Sequence, residues 1–198
     1  SAYRDAEVIF IAVGTPEKKD GSANLSYVYS AARQIAETVT NDCVVVVKST
    51  VPIGTNEKIE KILNENKNHN ITIDVVSNPE FLAQGTAIRD TFYPSRIILG
   101  VECNHAEQVM RKIFSGFEAP ILVTNRRSAE MIKYASNNFL ALKISYINEI
   151  ANLCDLVGAD IQDVAQGMGY DSRIGNKFLQ AGIGYGGSCF PKDTKALH

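Results

Sequence analysis

Five apolar, β-rich runs recur along the N-terminal part of the chain, and stretches of helical periodicity separate most of them. Residues 7–13 (EVIFIAV) break at Gly14-Thr15-Pro16, and residues 44–48 (VVVVK) break at Ser49-Thr50-Val51-Pro52. Residues 73–77 end in Asn78-Pro79, and 96–101 and 121–124 form the fourth and fifth runs. Between them, residues 26–40 place Val28, Ala31, Ala32, Ile35, Ala36 and Val39 on one side of a helix. Residues 55–66, carrying Ile59, Ile62 and Leu63, and residues 105–117 read as two more helices. Strands that are apolar throughout are buried on both faces. The pattern predicts an α/β fold, a parallel sheet with helices on both sides. Ligands bind such sheets beyond the C-terminal ends of the strands. The polar motifs Gly14-Thr15-Pro16, Ser49-Thr50 and Asn78-Pro79-Glu80 sit at those ends.

The next segment has a different character. Residues 128–157 contain neither Gly nor Pro. Ile132, Ala135, Phe139, Leu142, Tyr146, Ile150, Leu153 and Val157 recur in steps of three and four. This predicts one helix roughly 45 Å long. A small sheet cannot cover that length, so the helix is expected to connect domains or form a subunit interface. Lys133 and Asn137 lie four residues apart and share a helical face. A lysine on a helix is ordinarily a solvated surface charge. Residues 160–169 read as a short helix.

Toward the C-terminus stands Gly182-Ile183-Gly184-Tyr185-Gly186-Gly187-Ser188-Cys189-Phe190-Pro191-Lys192-Asp193. Glycines without a Cβ let backbone approach a ligand closely. Pro191 suits the first turn of a helix. A thiol beside a helix N-terminus and next to Lys192 is placed where the thiolate is favoured. The plain alternatives are a buried small hydrophobe for the cysteine and a tight turn for the glycines. The order of loop, thiol and helix start favours a covalent site beside a small molecule.

Composition narrows the classes. The formal net charge of −2 argues against general affinity for nucleic acid or an anionic membrane. No uninterrupted apolar run is long enough to span a bilayer. The four cysteines, Cys43, Cys103, Cys154 and Cys189, form no CxxC pair, which argues against a zinc site, and no metal is expected. Their wide spacing also argues against a disulfide framework, so a reducing, cytoplasmic setting is expected. The strand–Gly-x-Gly-x-x-Gly–helix fingerprint of a dinucleotide-binding domain does not occur. Either the fold does not bind a nucleotide, or its first half is absent.

Several motifs resemble one family in their order along the chain. Residues 10–16 (FIAVGTP), 48–55 (KSTVPIGT), 78–88 (NPEFLAQGTAI), 133–137 (KYASN) and the glycine-rich Cys189 loop are similar to the UDP-glucose 6-dehydrogenases, of the UDP-glucose/GDP-mannose dehydrogenase family. The resemblance covers essentially the whole chain. It implies the second half of a Rossmann-like parallel sheet domain, followed by an all-helical central dimerisation domain with one long helix. Residues 1–125 correspond to the later part of the NAD-binding domain and 126–198 to a truncated central domain. The first NAD-binding half and the C-terminal domain are expected to be missing, and the fragment alone is expected to be inactive.

The implied reaction is a four-electron oxidation of UDP-glucose to UDP-glucuronate with two NAD. By position in the family motifs, Cys189 is the nucleophile, forming a thiohemiacetal and then a thioester. Lys133 and Asn137 surround the developing oxyanion. Asp193 and Thr50 position a water, and Glu80 acts as general base in hydrolysis. The NAD contacts implied are Val13, Gly14, Thr15, Pro16, Glu17, Ser49, Thr50, Val51, Gln84, Cys189 and Lys192. The nucleotide-sugar contacts implied are Glu80, Phe81, Leu82, Ala83, Gln84, Lys133, Asn137, Arg173, Gln180, Gly184, Tyr185 and Gly186. Arg173 is expected to reach across a homodimer formed through the long helix. Gln84 departs from the family, which commonly has Glu there; the amide keeps hydrogen bonding and loses the charge. GDP-mannose and UDP-N-acetylhexosamine are the alternative substrates, and the unbroken run 79–88 favours UDP-glucose. A non-catalytic dimerisation core is the alternative outside enzymology. A cysteine hydrolase is disfavoured because no His lies in these motifs.

Overall fold

The computed structural model describes residues 3–68, 70–187 and 189–196; Ser188 of the glycine-rich run lies outside the described residues. It divides into two compact units, Ser1–Lys133 and Tyr134–His198.

Among the described residues, the first unit holds a five-stranded sheet of order β1-β2-β3-β4-β5. The strands are β1 Val8–Ile11, β2 Cys43–Val47, β3 Ile73–Ser77, β4 Ile97–Gly100 and β5 Ile121–Thr124. Helices α1 (Ser26–Thr38), α2 (Thr55–Asn66), α3 (Ala87–Phe92) and α4 (Asn104–Ile113) connect them. The inner strands β2 and β4 are buried on both faces as their composition requires, whereas the edge strands β1 and β5 expose Phe10 and Leu122, so burial on both faces does not hold at the sheet edges. Along β2, Cys43, Val45 and Val47 enter one core with Val28, Ala32, Ile35 and Ala36 of α1 and Ile59 and Leu63 of α2. Val44 and Val46 enter the other, with Val76, Leu99 and Ala106 and Met110 of α4. Alternate residues of one strand thus feed two cores, because successive side chains point to opposite faces.

The sheet departs from a wholly parallel pattern at one junction. β1 pairs β2, β2 pairs β3 and β4 pairs β5 in parallel, whereas β3 meets β4 antiparallel through Ser77 and Gly100. The cause lies in residues 78–96. A parallel return needs a helix that packs back onto the sheet. Here the only helix is the six-residue α3, which buries no residue, so the chain turns and β4 runs the other way. α3 was not anticipated from the sequence, because it has no apolar stripe. It is fastened locally, Asp90 accepting from Ala83 N–H at 2.9 Å and from the Thr86 hydroxyl at 2.7 Å.

Gly100 closes β4 where α5 begins. A Cβ there would stand 2.7 Å from Ala129 Cβ and 2.8 Å from Arg126 Cα, so only glycine lets the helix start pass so close. Helix α5, Arg126–Val157, is continuous over 32 residues, about 48 Å at 1.5 Å per residue. The second unit adds α6 (Ile161–Gly169), whose Asp160 cap accepts from Gln162 N–H at 2.7 Å, and α7 (Phe190–Lys195).

Candidate active site

In the first unit the predicted positions gather at the C-terminal ends of β1, β2 and β3. The loops after β1 and β2 are stitched together. The Thr15 hydroxyl donates to Thr50 O at 2.9 Å, and the Ser49 hydroxyl donates to Val13 O at 2.6 Å. These bonds fix Val13, Gly14, Thr15, Ser49 and Thr50 as one surface, with Pro16 and Glu17 exposed beside it and Val51 buried beneath. A Cβ placed on Gly14 would meet no atom within 4 Å, so this backbone faces open space.

The Asn78-Pro79-Glu80 turn continues that surface. Glu80 Oε2 accepts from Leu82 N–H at 2.6 Å, and Oε1 pairs with Lys133 Nζ at 3.2 Å. The carboxylate therefore has a set orientation. Lys133 is 4 % exposed, so it is no solvated surface charge. Phe81 lies under cations, with Arg96 Cζ 3.8 Å and Lys133 Nζ 5.3 Å from its ring centroid. Leu82, Ala83 and Gln84 are exposed.

Two residues in this unit were not picked out from the sequence. Lys48 Nζ donates to Asn78 Oδ1 at 3.2 Å, two residues before Glu80. Burial pushes its ammonium below the usual lysine range; the Glu80 charge opposes that push and the Lys133 charge adds to it. Glu130, 2 % exposed, accepts from Gly54 N–H at 2.6 Å, from Asn56 N–H at 2.9 Å and from the Asn56 amide at 2.6 Å. It supplies to α2, from a distant part of the chain, the cap that Gly54 lacks. A Lys closing a strand immediately before a polar strand-end motif was the available signal for Lys48. A Glu in the second turn of a long helix carries no such signal.

In the second unit the thiol motif forms the turn that its residues predict. Cys189 is the N-cap of α7 with Pro191 in the first turn, and Asp193 N–H donates to Cys189 O at 2.8 Å. Cys189 is exposed. One turn on, Asp193 is 1 % exposed and accepts from Asn137 Nδ2 at 2.6 Å and from Lys192 Nζ at 2.7 Å. Lys192 thus places its ammonium on Asp193, so the sequence neighbour expected to favour the thiolate is committed to a carboxylate instead. The helix start remains beside the sulfur.

Gly182 N–H donates to Asn148 Oδ1 at 2.9 Å, anchoring the glycine-rich loop on α5. Gly184 adopts φ 116°, which side-chain-bearing residues rarely reach. Tyr185 stacks edge-on against Phe190, with centroids 6.1 Å apart. An open hollow of about 390 Å³ lies between this loop and α5, lined by Asn148, Glu149, Gly184 and Tyr185 among others. Gly186 and Gln180 are exposed. Arg173 is exposed and forked onto Asp171, with Nη2 to Oδ2 at 2.6 Å.

Among the described residues, no group of three or more His, Cys, Asp or Glu is placed to hold a metal ion, and no helix is long and apolar enough to cross a membrane.

Comparison with known proteins places these features in context. Residues 1–118 match the UDP-glucose/GDP-mannose dehydrogenase family, NAD binding domain, and residues 127–198 match the central domain of the same family. The UDP-glucose 6-dehydrogenase YwqF of Bacillus subtilis (strain 168) is 58 % identical over 192 residues, covering 97 % of this chain and 44 % of that protein. Among solved structures, a UDP-glucose dehydrogenase from Pyrobaculum islandicum superimposes with a TM-score of 0.93 at 45 % identity, over 96 % of this chain and 45 % of that one. A GDP-mannose dehydrogenase from Pseudomonas aeruginosa gives 0.82 at 33 % identity, over 99 % and 47 %. The chain therefore spans less than half the length of each of these three relatives.

Proposed function

The chain belongs to the UDP-glucose/GDP-mannose dehydrogenase family, and from that premise we propose that it is part of a nucleotide-sugar dehydrogenase that oxidises the C6 alcohol of UDP-glucose to a carboxylate with NAD. The observation that carries the reading is the α7 turn. The exposed Cys189 occupies its N-cap position, and a buried carboxylate one turn on orders Asn137 and Lys192. UDP-glucose is preferred over GDP-mannose because the UDP-glucose relatives are the more similar, at 45 % identity in P. islandicum against 33 % for the GDP-mannose enzyme.

The residues present fit part of the cofactor. The backbone at Gly14 is open to a ligand, and the loops after β1 and β2 lie at the strand ends where nucleotides bind. The strand–Gly-x-Gly-x-x-Gly–helix cradle for the pyrophosphate is not in this chain: residues 182–187 (GIGYGG) have the glycine spacing but follow no strand among the described residues. Val13–Glu17 and Ser49–Val51 would hold NAD, which when bound supplies the hydride acceptor.

Cys189 Sγ adds to the C6 aldehyde, and oxidation of that adduct leaves a thioester. Lys133 and Asn137 donate to the developing oxyanion. In hydrolysis, the oxygen of water bonds to the acyl carbon, its proton passes to Glu80, and the carbon–sulfur bond breaks to release the thiolate, which takes that proton back from Glu80 to return the thiol. The pairing of Glu80 with Leu82 N–H and Lys133 supports this role, because a base must be aimed before it is useful. Thr50 and Asp193 are assigned to ordering that water, and Gly184, Tyr185, Gln180 and Arg173 to the nucleotide-sugar. Dimerisation through α5 is supported by the exposure of Phe139, Leu142, Tyr146 and Leu153 along it.

The test is NADH formation from UDP-glucose, in a protein that carries this chain together with the remaining length found in its relatives. Two NADH per UDP-glucuronate are expected, with none of the carboxylate formed by Cys189→Ala. Carboxylate formation by Cys189→Ala would refute the covalent route. The 198-residue chain alone is expected to show no turnover, since it lacks the pyrophosphate cradle.

A further inference from the structure

Lys48 belongs to the cluster at the β2–β3 ends, and the reaction above gives it no part. Its backbone N–H donates to Ile11 O at 2.9 Å, continuing the β1–β2 ladder, and its side chain turns to Asn78. Asn78 is pinned on three sides. Its N–H donates to Val47 O at 2.9 Å, its Nδ2 donates to Ile98 O at 2.9 Å, and its Oδ1 receives the Lys48 ammonium at 3.2 Å. Asn78 is 2 % exposed, so water is poorly placed to take over that last bond. Pro79 follows, with φ locked by its ring, and then Glu80. The orientation of the Glu80 arm is therefore inherited from Asn78.

Charge gives Lys48 a second hold. It acts electrostatically on both Glu80 and Lys133, so the cluster contains two ammonium groups and one carboxylate. A neutral donor would satisfy Asn78 but would remove one of the two positive charges that face the carboxylate.

We propose that Lys48 is a positioning residue for Glu80. Through Asn78 and through its charge it holds the carboxylate in the orientation from which it takes the proton of the hydrolytic water. Lys48 touches no reacting atom in this scheme. The inference rests on the reading of Glu80 as the base for thioester hydrolysis.

The experiment compares Lys48→Met, Glu80→Gln and the double variant in a protein carrying the full length of the relatives. Each is given UDP-glucose and NAD, quenched during turnover and weighed intact, so that the acyl adduct on Cys189 is counted directly. Glu80→Gln accumulates the adduct if the base reading holds. Lys48→Met then also accumulates it, slowing hydrolysis about tenfold through loss of alignment, with KM for UDP-glucose within about twofold of the parent. In the Glu80→Gln background Lys48→Met adds less than about twofold, since two residues acting as one unit are not additive. The proposal is overturned if Lys48→Met leaves the adduct at parental level, or slows hydrolysis equally in both backgrounds. A merely structural role would lower the melting temperature without raising the adduct. If Glu80→Gln shows no adduct, the base reading fails and the Lys48 proposal with it, an outcome distinct from failure of Lys48 alone. If Lys48→Met does not fold, Lys48→Gln is measured the same way: it removes the charge but can keep the bond to Asn78, so a smaller rise in adduct is expected, and an adduct at parental level overturns the proposal.

Discussion

Replacing Glu130 by Ala is expected to be among the costliest single changes in the first unit. Three donors lose their acceptor together: Gly54 N–H, Asn56 N–H and the Asn56 amide. Asn56 is fully buried, so two of the three are left where water reaches poorly. A hydrogen bond to a charged group contributes about 1.5–3 kcal/mol, and a buried donor left unpaired costs about 1–3 kcal/mol. The three share one carboxylate, so their costs do not simply add. Loss of a negative charge from the α2 N-terminus contributes further, by roughly 0.5 kcal/mol. We expect Glu130→Ala to cost about 4 kcal/mol, a large share of the ~5–15 kcal/mol that holds a typical domain folded. Glu130→Gln keeps the side-chain size and one acceptor oxygen, and is expected to cost about half as much. Urea unfolding followed by circular dichroism measures both, with an unchanged m-value confirming that the same surface unfolds. Hydrogen exchange at Gly54 and Asn56 should accelerate ahead of the rest of α2. A cost below about 1 kcal/mol for Glu130→Ala would refute the capping role.

Three other perturbations follow from the packing. Gly100→Ala forces a Cβ to within 2.8 Å of the Arg126 backbone and should destabilise by about 1–3 kcal/mol in the same unfolding assay. Asp193→Ala leaves the buried Lys192 ammonium without its carboxylate and should cost about 3–5 kcal/mol. Adding Lys192→Met to it should recover much of that loss, which melting temperatures of the single and double variants would show. Burial and the nearby Asp42 and Asp74 charges push the Cys43 thiol from 9.0 up to about 11. The folded state therefore holds this proton to higher pH than the unfolded chain does. Its contribution to stability is complete below pH 9 and is lost as pH rises toward 11. Cys43→Ala should flatten that part of the alkaline decline in a pH series of denaturant midpoints.

Much of the secondary structure was legible because local burial and local periodicity agree. α2 runs over Thr55–Asn66 and β3 over Ile73–Ser77, the bounds read from composition and turn residues alone. The long helix begins at Arg126, two residues before the start at 128 read from the sequence, and Asn125 Oδ1 accepts from Ser128 N–H at 2.8 Å. α3 escaped notice because its six residues bury nothing and leave no periodic trace. The reversed β3–β4 junction was equally invisible. Strand direction depends on whether the connector packs back on the sheet, and strand composition carries no record of that.

For the candidate site the division is similar. Linear motifs singled out Glu80, Lys133, Asn137 and Cys189, and the roles proposed for them rest on the resemblance those motifs carry. The partners of those residues were not legible. That Lys192 binds Asp193, that Lys48 reaches Asn78 and that Glu130 caps α2 are facts of side-chain geometry across 1, 30 and 74 or more residues of chain. The sequence by itself determined the α/β class, the strand-end location of the motifs and the continuity of α5, since each follows from residue patterns within one segment. Only the tertiary structure decided strand direction, the capping of α2 and the pairing of each buried charge. A buried charge takes whichever partner the fold brings within about 3 Å, neutral or ionic, next in sequence as Asp193 is to Lys192 or far along the chain as Asn56 is to Glu130.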